Sequence, residues 1–182
     1  MKVEPTSLPG VLLVEPTVIA DERGFFMESW HRAKFAAAGL AADFVQDNHS
    51  SSRRGVLRGL HYQRKRPQGK LVRVVSGEIV DVAVDLRRSS PTFGRSVIVA
   101  LSAATKRQLW IPAGFAHGFY VTSDTAELVY KCTEFYDGTD ERTIRWDDPD
   151  LAIAWPIESG VAPIVSEKDR AGCAFADAEC FA

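Results

Sequence analysis

Residues 70–86 read Lys-Leu-Val-Arg-Val-Val-Ser-Gly-Glu-Ile-Val-Asp-Val-Ala-Val-Asp-Leu, and the spacing of their valines decides the fold class. Val72 and Val74, then Val80, Val82, Val84 and Leu86, recur at every second position, the period of a strand with alternate side chains on opposite faces of a sheet. Ser76-Gly77-Glu78 separates the two runs with turn-forming residues. The same period returns in Val97, Val99 and Leu101, after the turn-rich Ser89-Ser90-Pro91-Thr92-Phe93-Gly94, and again in Leu128, Tyr130 and Cys132. Short runs so spaced predict an all-β antiparallel sandwich or barrel. Helix is confined to the periphery. Arg32 to Ala38 has good helix formers and a stop at Gly39, and a capped turn opens at Ser166 in Ser166-Glu167-Lys168-Asp169. The Ala-rich tail beyond it is expected to be loosely ordered.

A chain of 182 residues, 46% hydrophobic and 25% charged, is one ordinary domain, 1–182, large enough to bury a core without metals or disulfides as staples. Twenty-two Lys and Arg against 24 Asp and Glu leave a formal charge of -2, so no global positive field exists to hold nucleic acid or anionic lipid. The longest stretch without a polar residue, Phe35 to Ala42, is mostly alanine and far below the roughly 20 residues of a membrane span. Met1 to Pro5 lacks a secretory apolar core, and three cysteines make no even disulfide framework; a reducing cytoplasm is the expected compartment.

Polar chemistry gathers in a few places. In Gly55-Val56-Leu57-Arg58-Gly59-Leu60-His61-Tyr62-Gln63 an extended backbone puts Leu57, Gly59, His61 and Gln63 on one face, and Arg58, Leu60 and Tyr62 on the other. His61 is either a cavity group or a core histidine bonded to a backbone carbonyl. Trp110-Ile111-Pro112-Ala113-Gly114-Phe115-Ala116-His117-Gly118-Phe119 supplies a second inward histidine and matches the second motif of cupins. The metal-binding form of that fold needs a His-x-His pair, and here Gln63 stands where the partner of His61 would be. Tyr130 and Tyr136 lie six apart, so an unbroken strand points both to one side, with Leu128. Arg23-Gly24-Phe25-Phe26-Met27-Glu28 suits a phosphate-holding and stacking segment, or a surface hairpin. Gln46-Asp47-Asn48-His49-Ser50 suits a base- or sugar-reading edge, or a polar turn. Asp81 and Asp85 alternate with valines and face together, into solvent or into a polar cavity.

In order along the chain, Arg23 to Glu28, Gln46 to Ser50, Gly55 to Gln63, Lys70-Leu71-Val72-Arg73, Asp81 to Asp85, Ser90 to Gly94, Trp110 to Phe119, Tyr130 to Thr133 and Ser166 to Asp169 resemble the dTDP-4-dehydrorhamnose 3,5-epimerase family. The match covers nearly the whole chain. It implies a cupin-like jelly-roll barrel or sandwich with a few short peripheral helices, and an isomerase needing no metal and no cofactor. The family inverts carbons 3 and 5 beside the ketone of a dTDP-4-keto-6-deoxy sugar. By resemblance His61 is the general base, Asp169 its buried partner, Tyr130 the acid on the opposite face, and Lys70, with His117, the holder of the developing enolate. Arg23 and Arg58 resemble the diphosphate ligands, Phe26 and Tyr136 the aromatic packing, and Glu28, Gln46 and Asn48 the polar contacts. A homodimer with exchanged N-terminal strands is implied, so that Arg23 to Glu28 serve the partner's site.

Three other readings compete. A mono-epimerase of a related deoxysugar uses nearly the same residues. A metal-dependent cupin enzyme is opposed by the missing His-x-His, and a non-catalytic sugar-nucleotide binding module by the joint presence of His61, Lys70, Tyr130 and Asp169.

Overall fold

The computed structural model describes residues 1–182 and is built almost wholly from antiparallel strands. In chain order these are β1 (Lys2–Pro5), β2 (Leu12–Glu15), β3 (Val18–Asp21), β4 (Gly24–Met27), β5 (Gln46–Arg53), β6 (Leu57–Gln63) and β7 (Lys70–Ser76). They continue with β8 (Glu78–Asp85), β9 (Ser96–Ser102), β10 (Gln108–Ile111), β11 (Phe115–Val121), β12 (Thr125–Cys132) and β13 (Glu141–Thr143). One sheet has the order β1-β2-β10-β7-β12-β5 and the other β13-β6-β11-β8-β9, while β3 and β4 form a hairpin of their own. The all-β jelly-roll expectation is met. Helix is limited to α1 (Arg32–Ala37), α2 (Glu167–Arg170) and a 3-10 turn at Phe175–Asp177, and no helix is long and apolar enough to cross a membrane.

The sheets face each other across a dry core. Val72, Leu109 and Leu128 from one sheet pack with Ile79, Leu101 and Val121 from the other, all fully buried. Side chains of this kind contribute about 1.5–3 kcal/mol each on leaving water, which is what holds two otherwise separate sheets together. Ser76-Gly77-Glu78 turns the chain from β7 in the first sheet to β8 in the second. Only glycine fits that corner: Gly77 has φ +75, and a Cβ there would sit 1.9 Å from the Thr125 carbonyl oxygen.

Both outer faces are also covered. On the first sheet, Phe35 of α1 and Leu40 pack on Val14 and Leu71. On the second, the C-terminal segment lies over Leu60, Tyr62, Val82 and Val84, burying Ile144, Ala178 and Cys180. The tail is therefore ordered, contrary to the reading of its composition, because its small and apolar residues cap the outward side of β6 and β8. Phe181 pairs in parallel with Arg87 at its end. With both faces of β8 covered, Asp81 and Asp85 turn inward and are completely buried. Arg87, Ser90 and Thr92 hydrogen-bond the Asp85 carboxylate.

Candidate active site

A cavity of about 230 Å³ is lined by Arg58 and His61 from β6, Lys70 from β7, His117 from β11, Tyr130 from β12, and Tyr136, Glu141 and Lys168. An adjoining cleft of about 530 Å³ shares Arg58, His61 and Lys168 and reaches Asp169 and Ile164. The cleft by itself, and the two together, lie in the size range of small-molecule sites.

Simple alternation puts Arg58 and His61 on opposite faces of β6, yet both reach this cavity. The cause is a bulge. His61 pairs with His117 and Arg58 with Phe119, so three steps along β6 oppose two along β11. One extra residue inverts the parity of everything before it. Gly59 makes this possible: φ is +119, and an added Cβ would lie 2.5 Å from Gly118 Cα and 2.7 Å from the His117 carbonyl oxygen.

His61 Nε2 lies 2.5 Å from Asp169 Oδ1, bridging 108 residues of sequence. Asp169 arrives on α2, whose first turn is capped by Ser166: its Oγ accepts from the Asp169 backbone N–H at 3.1 Å. Burial raises the Asp169 carboxyl, but the bonds from His61 and Ser166 outweigh it, so the group stays below the usual carboxylate range and ionised. With Nε2 engaged, Nδ1 is the ring atom left to exchange a proton. A second pair repeats the design on β11 and β8, where His117 Nε2 lies 2.8 Å from Asp81 Oδ1. Asp81 is completely buried, and its Oδ2 has no hydrogen-bond partner.

Burial depresses the Lys70 ammonium below its ordinary range and raises the Tyr130 phenol above its own, so the phenol keeps its proton at neutral pH. Tyr136 also lines the cavity, though not through an unbroken strand. β12 ends at Cys132, the Thr133 N–H donates to the Gly69 carbonyl, and the chain turns before Tyr136. The Tyr136 hydroxyl donates to Glu141 Oε2 at 2.9 Å, and that bond raises its own pKa. Arg58 is aimed by bonds to Ser52 Oγ at 3.0 and 3.1 Å.

The other residues singled out in the sequence lie elsewhere. Gln46 Nε2 donates to Asn48 Oδ1, Gln46 Oε1 accepts from the Tyr136 backbone N–H, and Asn48 Nδ2 lies 3.5 Å from Cys132 Sγ; both side chains brace the wall from β5. Arg23, Phe26 and Glu28 belong to the β3–β4 hairpin region, outside this cavity. Arg23 pairs with Asp21, Glu28 pairs with Lys34, and Phe26 is 66% exposed. Phe26 and Glu28 line a separate hollow of about 300 Å³ against α1. Glu141 and Lys168 join the site without a sequence signal of their own, although Lys168 lies within the Ser166 to Asp169 motif. Glu141 sits on a three-residue strand with no periodic signal and arrives only by pairing with β6. No group of three or more His, Cys, Asp or Glu side chains is arranged to hold a metal ion. The arrangement can remove a proton at Nδ1, supply one from a phenol, and hold an oxyanion between an ammonium and an imidazole.

A family model described as dTDP-4-dehydrorhamnose 3,5-epimerase matches residues 5–177. The chain is 59% identical to an enzyme of that name from Pseudomonas aeruginosa, over all of this chain and 99% of the relative. The fold is similar to that of a dTDP-6-deoxy-D-glucose-3,5-epimerase from Legionella pneumophila in complex with dTDP-4-keto-L-rhamnose. The TM-score there is 0.91 at 49% identity, covering 95% of this chain and 92% of the other. It is also similar to a 3'-monoepimerase from Streptomyces bikiniensis in complex with dTDP-quinovose, with TM-score 0.87 at 36% identity, over 94% and 87% of the two chains.

Proposed function

Since the chain belongs to the dTDP-4-dehydrorhamnose 3,5-epimerase family, we propose that His61, held by Asp169, is the base of its reaction and Tyr130 the acid. The reaction is an isomerisation that inverts carbons 3 and 5 of a dTDP-4-keto-6-deoxy sugar. The ketone acidifies the hydrogens on both flanking carbons. Nδ1 of His61 takes one, Asp169 stabilises the resulting imidazolium, and Tyr130 returns a proton to the other face of the same carbon. Lys70 and His117 hold the carbonyl oxygen while it carries enolate charge. The observation that carries this reading is the 2.5 Å His61–Asp169 pair opening into the same cavity as Tyr130 and Lys70.

Arg58, at the junction of the cavity and the adjoining cleft, is the diphosphate ligand of this chain, its planar fork suited to two oxygens at once. Tyr136 packs against the substrate, with Gln46 and Asn48 supporting that wall. Arg23, Phe26 and Glu28 complete the site of a second copy in a homodimer with exchanged N-terminal strands. Support comes from the hairpin's exposed Ile19, Phe25 and Phe26, an apolar surface that a monomer leaves in water. Residues 1–182 act as one domain. A cytoplasmic location is supported by three unpaired thiols, Cys132, Cys173 and Cys180.

The test is incubation with dTDP-4-keto-6-deoxyglucose in deuterated water, following carbons 3 and 5 by NMR. Deuterium should enter both positions. His61→Asn should abolish exchange at both, whereas Tyr130→Phe should retain some exchange and lose net inversion. Label at one carbon alone would make the chain a mono-epimerase, and wild-type exchange in His61→Asn would remove the base assignment.

A further inference from the structure

We propose that Glu141 is a positioning residue for the base, a second carboxylate that faces the free edge of the His61 imidazole and holds the imidazolium formed when a proton is taken. The inference rests on the reading of His61 as that base.

Four observations carry it. Glu141 Oε1 lies 4.0 Å from His61 Nδ1, on the opposite ring edge from Asp169. The other oxygen, Oε2, accepts from Lys168 Nζ at 2.7 Å and from the Tyr136 hydroxyl at 2.9 Å, which fixes the carboxylate with Oε1 turned to the ring. The side chain is only 13% exposed, so water screens its charge weakly. Finally, β13 is bonded directly to the strand of the base: Thr143 pairs with His61, and Leu60 and Ile144 exchange both backbone hydrogen bonds. Glu141 therefore keeps its distance from the ring through backbone pairing rather than through a flexible loop.

The chemistry follows from the sign of the charges. Neutral imidazole gains nothing from a carboxylate at Nδ1, because that atom then carries a lone pair. Once Nδ1 has taken the proton the ring is a cation, and Oε1 at 4.0 Å attracts it across a weakly screened gap. Glu141 thus favours the state after abstraction over the state before it, which is the condition for accelerating that step. Lys168 works in the opposite sense, since its ammonium on Oε2 offsets part of the negative charge. The remaining charged or titratable groups facing His61 are Asp169 on α2, His117 on β11, Arg58 on its own strand, Lys70 on β7 and Tyr130 on β12. All of them are kept in the variants below.

The experiment compares the pH dependence of kcat/KM for the full-length wild type, Glu141→Gln and Lys168→Gln. Its acid limb reports protonation of the free enzyme's base. Removing the carboxylate should move that limb to lower pH by about one unit, and removing the ammonium should move it to higher pH. kcat of Glu141→Gln should fall about tenfold, and Glu141→Asp should recover part of the loss. A loss of structure cannot move the limb in opposite directions in the two variants. Limbs that stay in place, or move together, overturn the proposal. Should Glu141→Gln not fold, as read by thermal unfolding, Lys168→Gln alone decides: an upward shift supports the role, and none or a downward one ends it. Failure of the base assignment is seen separately, as retained deuterium exchange in His61→Asn.

Discussion

Asp169→Asn preserves the shape of the side chain and removes one negative charge 2.5 Å from His61 Nε2. Two losses add. The first is the charge-assisted bond to the imidazolium, about 1.5–3 kcal/mol or roughly 10- to 150-fold in rate. The second is the tautomer. With an amide nitrogen facing Nε2, the neutral ring is stabilised with its proton on Nδ1, the atom that accepts one from the sugar in the proposed mechanism. In the Ser-His-Asp hydrolases the same change lowers kcat by roughly 10,000-fold. We therefore expect kcat to fall about 1,000- to 10,000-fold. Binding should change little: the Asp169 side chain is 3% exposed and lies behind the ring, so the Kd for dTDP should stay within about threefold, a change worth under ~1 kcal/mol. The assay is deuterium exchange at carbons 3 and 5 by NMR, with dTDP affinity from calorimetry on the same preparation. A loss below tenfold, or one matched by an equal loss of dTDP affinity, would refute the reasoning.

Lys70→Ala should lower kcat about 100- to 1,000-fold, the usual cost of a missing oxyanion donor, with exchange at both carbons reduced together; steady-state kinetics showing an effect on KM alone would contradict that role. At the buried Asp85, burial raises the carboxyl, yet the bonds from Arg87, Ser90 and Thr92 outweigh it and bring the pKa to about 2 against an ordinary 3.8. A depressed pKa stabilises the fold above the unfolded value and ceases to do so as pH falls through the folded one. Asp85→Asn should accordingly lose about 2 kcal/mol in chemical unfolding at pH 7, a difference that shrinks from pH 4 downward and is nearly gone below pH 2. Gly59→Ala sets a Cβ 2.5 Å from Gly118 Cα at φ +119. It should cost at least about 2–3 kcal/mol and disturb His61 and His117 together, giving a lower Tm and a lost imidazole pair in NMR.

Alternation is a property of neighbouring residues, so the strands around Val72, Val82, Val99 and Leu128 could be read directly from the chain. Which face of each strand would meet the substrate could not. On β8 the valines look like the core face and the aspartates like the wet one, but the C-terminal segment covers Val82 and Val84 and sends Asp81 into the interior. The shared orientation of Arg58 and His61 depends on a bulge at Gly59, where Gly118 of the next strand comes close, a long-range contact that alternation does not mark. Tyr136 reaches the expected cavity for a different reason from the one its spacing gave, by a turn after Cys132 rather than by continued strand. Glu141 left no signal at all, since three residues of β13 are too few to show a period.

The covering of β8 on both sides also explains the chemistry available to His117. A carboxylate with no exposure retains its charge only if neighbouring donors replace the lost hydration. Asp81 has one such bond, from His117 at 2.8 Å, and leaves Oδ2 unpartnered beside a cavity whose wall includes the Lys70 ammonium. Asp81 acts through the imidazole: its Oδ1, 2.8 Å from Nε2, fixes the ring of His117 where it lines the cavity beside Lys70. The tail is thus tied to the oxyanion side of the site. Cutting the chain after Ile157, which removes Asp169 along with Ala178 and Cys180, should eliminate the base pair and uncover Val82 and Val84 of β8 as well. Truncation after Gly172 keeps Asp169 and strips only the cover, so it should impair the enolate-holding side more than the base. Exchange and net inversion falling together in that shorter chain, with the His61–Asp169 pair intact, would match this account, and unaltered turnover would show that the covering layer has no part in the chemistry.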